Sequence, residues 1–118
     1  IKKQSEFVMV GHICCPNIIS KEIPASLSKK LVTDVLRNEM EFNGIIITDA
    51  MDMGAVTAHY SCGEAAVQAV EAGADMILMP ENFQEAYEAV LQAVTDGRIS
   101  EKRLNESVSR ILDCKKSR

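Results

Sequence analysis

The sequence predicts an α/β fold built around a parallel sheet, and three observations carry that expectation. Short apolar runs have no polar face, as strands covered on both sides do. Longer amphipathic stretches of helical period lie between them. The connections are short, so strand and helix alternate as right-handed βαβ units do.

The first strand is Phe7 to Val10, "FVMV", closed by Gly11, and "GHICCPNI" after it reads as a loop. From Ser26 the period changes. Leu27, Leu31, Val35, Leu36 and Met40 recur at helical spacing among Lys29, Lys30, Asp34 and Arg37, which predicts an amphipathic helix ended by Phe42, Asn43 and Gly44. Gly44 to Thr48 is a β-branched strand. Ser61 and Glu64 form a capping-box pattern before "AAVQAVEAGA", a small-residue helix closed by Gly73. Met76 to Met79, "MILM", is a third strand stopped by Pro80. Phe83, Ala86, Tyr87, Val90, Leu91 and Val94 mark a further helix with Gly97 as its C-terminal cap. Ser100 caps the last, whose apolar side carries Leu104, Val108, Ile111 and Leu112.

Three parallel strands allow two closures: an open doubly wound sheet, or a segment of a (β/α)8 barrel, which when whole needs about 250 residues and eight strands. No glycine-rich phosphate loop follows any strand, which argues against a nucleotide site. In either closure ligands belong at the C-terminal ends of the strands.

Composition excludes several classes. A net charge of −4 over 118 residues offers no basic face for nucleic acid. No apolar run approaches the roughly 20 residues that span a bilayer. Cys14, Cys15, Cys62 and Cys114 have neither disulfide-framework nor zinc spacing, so no structural metal site is expected, and unpaired thiols favour a cytoplasmic location. The opening Ile1, Lys2, Lys3 and Gln4 read as a cut point in a longer polypeptide without a targeting segment.

The strand ends hold the candidate chemistry: His12 with the cysteines, Asp49 with Asp52, and Pro80, Glu81 and Asn82. Asp49 ends the most hydrophobic strand, where a partly desolvated carboxylate can act as nucleophile or acid; the competing role is a cap on the turn "AMDMGAV". Position alone favours the cap. Asp52 lies too close along one turn to serve as a catalytic partner, since glycosidase carboxylates flank a bond from two sides about 5 Å or more apart. It reads as a loop or capping residue. His12 reads as a packed loop histidine that can also line a pocket, and His59 as surface or helix-entry chemistry. Met51 and Met53 fit a pocket wall or core filler.

"FNGIIITDAMDMGAV" resembles the nucleophile segment of family 3 glycoside hydrolases, in which a glycine, an apolar strand and Ser or Thr precede the catalytic Asp, with Met four residues later. Here these are Gly44, Ile45 to Ile47, Thr48, Asp49 and Met53. The likeness continues through "VMVGHI", "IPASLSKKLVTDVLRNEMEF", "AVEAGADMILMP" and "DGRISEKRLNESVSRIL", in order along the chain. The Thr48, Asp49, Ala50 run most resembles the single-barrel β-N-acetylglucosaminidases; β-glucosidases and β-xylosidases share the strand.

The resemblance implies a partial (β/α)8 TIM barrel, about the last three βα units plus a closing helix, with residues 1–118 forming a C-terminal fragment of the catalytic domain. It implies Asp49 as the nucleophile of a retaining hydrolysis, His12 and Met53 in the sugar site, and no cofactor. The substrate would be a carbohydrate, a terminal β-N-acetylglucosaminide such as those in cell-wall fragments. In that branch a histidine supported by an aspartate, on a loop from an earlier strand, is the acid/base, and none of that segment occurs in these 118 residues. The chain alone is therefore expected to be inactive. Its open barrel edges would invite homo-oligomerisation, which also makes a non-catalytic, self-associating partial barrel a reading of a second kind.

Overall fold

The structure is a computed structural model that describes residues 7–12, 25–52, 54–57, 60–80 and 82–116. Strand β1 (Phe7–Val10) is followed by a 3-10 turn (Ala25–Leu27), a π-helix (Lys30–Glu39) and strand β2 (Ile45–Thr48). The short helix α1 (Gly54–Thr57) leads to α2 (Cys62–Ala72), α3 (Phe83–Thr95) and α4 (Glu101–Lys116). The fold is α/β, as the alternation predicts.

β1 and β2 are parallel and pair in the register Phe7 with Ile45 through Val10 with Thr48. The expected third strand is shorter than its apolar run. It joins β2 through one parallel bridge, Ile47 with Met76, on the side away from β1. Beyond that bridge the Leu78 N–H turns to the Thr48 hydroxyl at 3.1 Å, while Met51 N–H reaches the Leu78 carbonyl at 2.9 Å. Side chain and loop thus replace the ladder. Met79 then adopts a left-handed φ of 45°, which ends any extended run before Pro80.

The sheet is apolar on both faces but covered unequally. Ile46 and Thr48 are fully buried, and Ile46 joins Leu27, Val32, Leu36, Phe42 and the small residues of α2 in the main core, with Val8 and Val10 against it. Burying one such aliphatic side chain contributes about 1.5–3 kcal/mol. On the other face Ile45 is buried, yet Phe7 and Met9 remain 40% and 53% exposed. There Ile111 of α4 lines an apolar groove of about 350 Å³ with Phe7, Ile45 and Met76.

The helix expected from Ser26 is replaced by the 3-10 turn and the π-helix. Wider i→i−5 bonding, seen where Met40 N–H reaches the Val35 carbonyl at 2.8 Å, rotates the buried side to Val32 and Leu36 and leaves Met40 exposed. The α3 and α4 faces also differ from the expected stripes. Ala86 and Ala93 of α3 are buried, whereas Phe83, Tyr87 and Leu91 are 54–74% exposed. The reason is close helix approach: a Cβ on Gly63 of α2 would lie 2.8 Å from that of Ala89, and only small residues fit such a seam. On α4, Val108 and Leu112 face outward while Ser107 is buried.

The caps follow the sequence more closely. Ser61 accepts from Glu64 N–H at 3.2 Å, and Ser100 from Arg103 N–H at 3.1 Å. The capping box is not reciprocal, because the Glu64 carboxylate turns to Gln68 and Arg98. Gly73 closes α2 at φ 123°, and an added Cβ there would collide with Thr33 Oγ1.

Candidate active site

Asp49 stands one residue past β2, and its position follows from the ladder. Its N–H still donates to the Val10 carbonyl at 2.9 Å, so the backbone is fixed by β1 as the side chain leaves the sheet. Its Oδ1 accepts from the N–H of Ala50 at 2.8 Å. Among the described residues this is the carboxylate's one hydrogen bond, and the residue is half-buried. One oxygen is oriented by the turn, and the other accepts no hydrogen bond from the described residues.

His12 is brought to the same place from the end of β1. It is only 8% exposed. Its Nε2 lies 2.9 Å from the Ala50 carbonyl, which can only accept, so Nε2 carries the proton. Its Nδ1 lies 2.6 Å from the hydroxyl oxygen of Ser26, which is also buried. The Ser26 N–H in turn reaches the Gly11 carbonyl at 3.1 Å. Both ring nitrogens are engaged, and the ring ties β1, the 3-10 turn and the residue after Asp49 into one unit. That arrangement positions the carboxylate's turn.

Thr48 is buried with its hydroxyl holding Leu78, a staple between β2 and the third chain segment directly before Asp49. Sequence reasoning identified Thr48 as part of a pattern without giving it this task. Met51 is 4% exposed and belongs to the core. Asp52 is exposed on the turn and makes no hydrogen bond to Asp49. Met53, His59, Cys14, Cys15 and Glu81 lie outside the described residues. Among the described residues no group of three or more His, Cys, Asp or Glu side chains could hold a metal ion, and no helix is long and apolar enough to cross a membrane.

At the opposite, N-terminal ends of the strands is a second aspartate that sequence reasoning missed. The Asp75 side chain is 0% exposed. It receives Arg37 Nη2 and Ile46 N–H on one oxygen, at 2.8 and 3.0 Å, and Arg110 Nη1 and Ser107 Oγ on the other, at 2.8 and 2.6 Å. Arg37 also donates to the Phe42 and Gly44 carbonyls, and Arg103 to those of Val70 and Ala74. Burial pulls both guanidiniums below their ordinary range, with Asp75 working in the opposite direction. The signal lay in arginines within otherwise core-facing turns.

The chain matches the glycosyl hydrolase family 3 N-terminal domain over residues 1–114. It belongs to that family. A β-N-acetylglucosaminidase/β-glucosidase of Cellulomonas fimi is 32% identical over 119 residues, which cover 93% of this chain and 21% of that protein. A lysosomal β-glucosidase of Dictyostelium discoideum is 38% identical over 98 residues, covering 79% of this chain and 12% of its own length. Among solved structures, a glycoside hydrolase family 3 β-N-acetylglucosaminidase from Paenibacillus sp. str. FPU-7 superposes with a TM-score of 0.91 at 42% identity, covering 94% of this chain and 22% of that one. The family chain described here thus spans about a fifth of these relatives' length or less.

Proposed function

We propose that residues 1–118 supply the last three βα units and a closing helix to a (β/α)8 barrel that hydrolyses terminal β-N-acetylglucosaminides with retention of configuration. The observation that carries this reading is Asp49, held by the β1–β2 ladder at the C-terminal end of the sheet with one carboxylate oxygen left open among the described residues. The free Asp49 oxygen attacks the anomeric carbon as the bond to the leaving oxygen breaks, and that oxygen takes a proton from an acid outside this chain. Water, deprotonated by the same group, then cleaves the glycosyl ester. His12 holds the turn that aims Asp49 through the Ala50 carbonyl.

The uncovered face of the sheet supports the barrel reading. Phe7 and Met9 lie on the sheet face opposite the π-helix and α2, with α4 near the Phe7 end, and are exposed, as the inward side of barrel strands would be before the remaining strands close over it. β1 pairs with β2 alone among the described residues, so its outer edge is open. That edge also favours a second reading, self-association of the 118-residue chain without turnover.

The test compares this chain with a full-length enzyme carrying it on an aryl β-N-acetylglucosaminide, with the aryl β-glucoside and β-xyloside alongside. The reading expects turnover of the acetylglucosaminide by the long form alone. Rapid turnover by the short chain, or preference for the glucoside or xyloside, would overturn the missing-acid or the substrate part of the proposal. Concentration-dependent sedimentation of the short chain would support the self-associating form.

A further inference from the structure

A cavity of about 630 Å³ opens at the end of the strands opposite Asp49, between the π-helix, the turn after α2, the α3–α4 connection and α4. Its volume falls in the range of small-molecule sites. Arg37, Arg103 and Arg110 all line it; Arg37 and Arg110 are paired with the buried carboxylate of Asp75, and Arg103 lies within reach of its charge without bonding it. Asp75 carries one negative charge against these three guanidiniums, and both its oxygens are already filled by four donors. Arg110 gives one hydrogen bond to Asp75, and its other N–H groups meet no acceptor among the described residues.

The remaining charges do not remove this surplus. Arg98 and Glu71 line the cavity as well, and Arg98 is paired with both Glu64 and Glu71, a trio that lowers the surplus by one charge and leaves the rest. Glu106 also lines the cavity and acts on Arg37 and Arg103, while Lys29 adds a further positive charge. Ser100 brings the N-terminus of α4, the positive end of a 16-residue helix, to the same wall. Guanidinium forks with free donors, an excess of positive charge and a helix N-terminus are the chemistry that binds phosphate.

We propose that this cavity binds an anion carrying a phosphate group, at a site separate from Asp49. The group would be held by the unused Arg110 donors against the start of α4, with Arg103 and Lys29 contributing charge. A free phosphate and a sugar phosphate present the same group, and the volume admits either.

The experiment titrates the full protein with inorganic phosphate at constant ionic strength, balanced by chloride, and reads both heat of binding and thermal midpoint. The expected result is saturable binding at about 1 mM or tighter, accompanied by a rise in midpoint. The exposed Lys29 can be reversed without disturbing Asp75, so Lys29→Glu should weaken binding about tenfold. Asp49→Asn should leave it unchanged. A hexose 6-phosphate arm identifies the source: tighter binding than phosphate points to a sugar phosphate, weaker binding to the free ion. No saturable binding, equal affinity in Lys29→Glu, or loss of binding in Asp49→Asn would overturn the proposal.

Discussion

Two aspartates stand at opposite ends of the same buried strands, and their surroundings are opposites too. Asp49 is half-buried, with one hydrogen bond from the backbone next to it. Asp75 is fully enclosed, with two arginines, a serine and a backbone N–H on its two oxygens. A carboxylate saturated with donors has no lone pair for an incoming carbon and serves as a structural tie. One that is aimed but unsaturated can react. The comparison therefore separates the two residues by hydrogen-bond capacity, which residue type alone does not reveal.

The sharpest way to break this contrast is to make the same substitution at both positions. Asp49→Asn should lower turnover of the full-length enzyme by about a thousandfold or more. Its thermal midpoint should stay within about 2 °C of the parent, since only one exposed-side hydrogen bond changes. Asp75→Asn should do the reverse in kind, costing about 3–5 kcal/mol in urea unfolding, because it leaves Arg37 and Arg110 as buried charges without a counterion. Similar stability losses at the two sites would erase the distinction.

A smaller effect is expected at His12, which acts on Asp49 through the backbone. His12→Phe should cost about 1–3 kcal/mol, because Ser26 and the Ala50 carbonyl lose a buried partner. It should also lower kcat with little change in KM, as misaiming a nucleophile does. A rise in KM alone would indicate direct sugar contact instead. That outcome would restore His12 to the substrate-binding role expected from the sequence.

The smallest effect belongs to the surface pair of Glu64 and Arg98. Hydrogen bonding from Arg98, then from Gln68, holds the Glu64 carboxyl below its ordinary value. A lowered folded-state value means the stabilisation is present above the unfolded value and is lost as pH falls through the folded one. The difference in thermal midpoint between parent and Glu64→Gln should therefore be present at neutral pH and vanish in acid below the carboxylate range. Both partners are well exposed, so the effect is small. A difference that persists undiminished in acid would remove this pair as its source.

How much of this was legible in the sequence differs along the chain. The two strands, the cap residues Ser61 and Ser100 and the closing Gly73 were, because period and cap chemistry are local signals. The π-helix was not: its apolar residues fit an ordinary helix nearly as well, and the spacing does not record that Val32 and Leu36 are the residues it buries. Phe83, Tyr87 and Leu91 marked their helix but not which side of it would be buried, because hydrophobicity does not record that Gly63 brings α2 too close for large side chains. The third strand was read too long, since nothing local announces that a threonine hydroxyl will take a strand N–H.

The candidate site was legible at Asp49 because a carboxylate ending an isoleucine run is conspicuous, and the resemblance of its flanks gave it a role. His12 was visible as a residue but not as a clamp, because its partners Ser26 and Ala50 lie 14 and 38 positions away. Asp75 escaped notice for the same reason: its partners come from the π-helix, β2 and α4. Long-range hydrogen bonds carry no local pattern.

The central claim is that the carboxylate at the open end is the one that forms the covalent intermediate. It is tested most directly by treating the full-length enzyme with a fluorinated glycoside that traps the glycosyl ester, then digesting and mapping the modified peptide. The account predicts an adduct on the peptide containing Asp49, localised to Asp49 by fragmentation. An adduct on Asp52, on Asp75 or on any other carboxylate of the enzyme would contradict it.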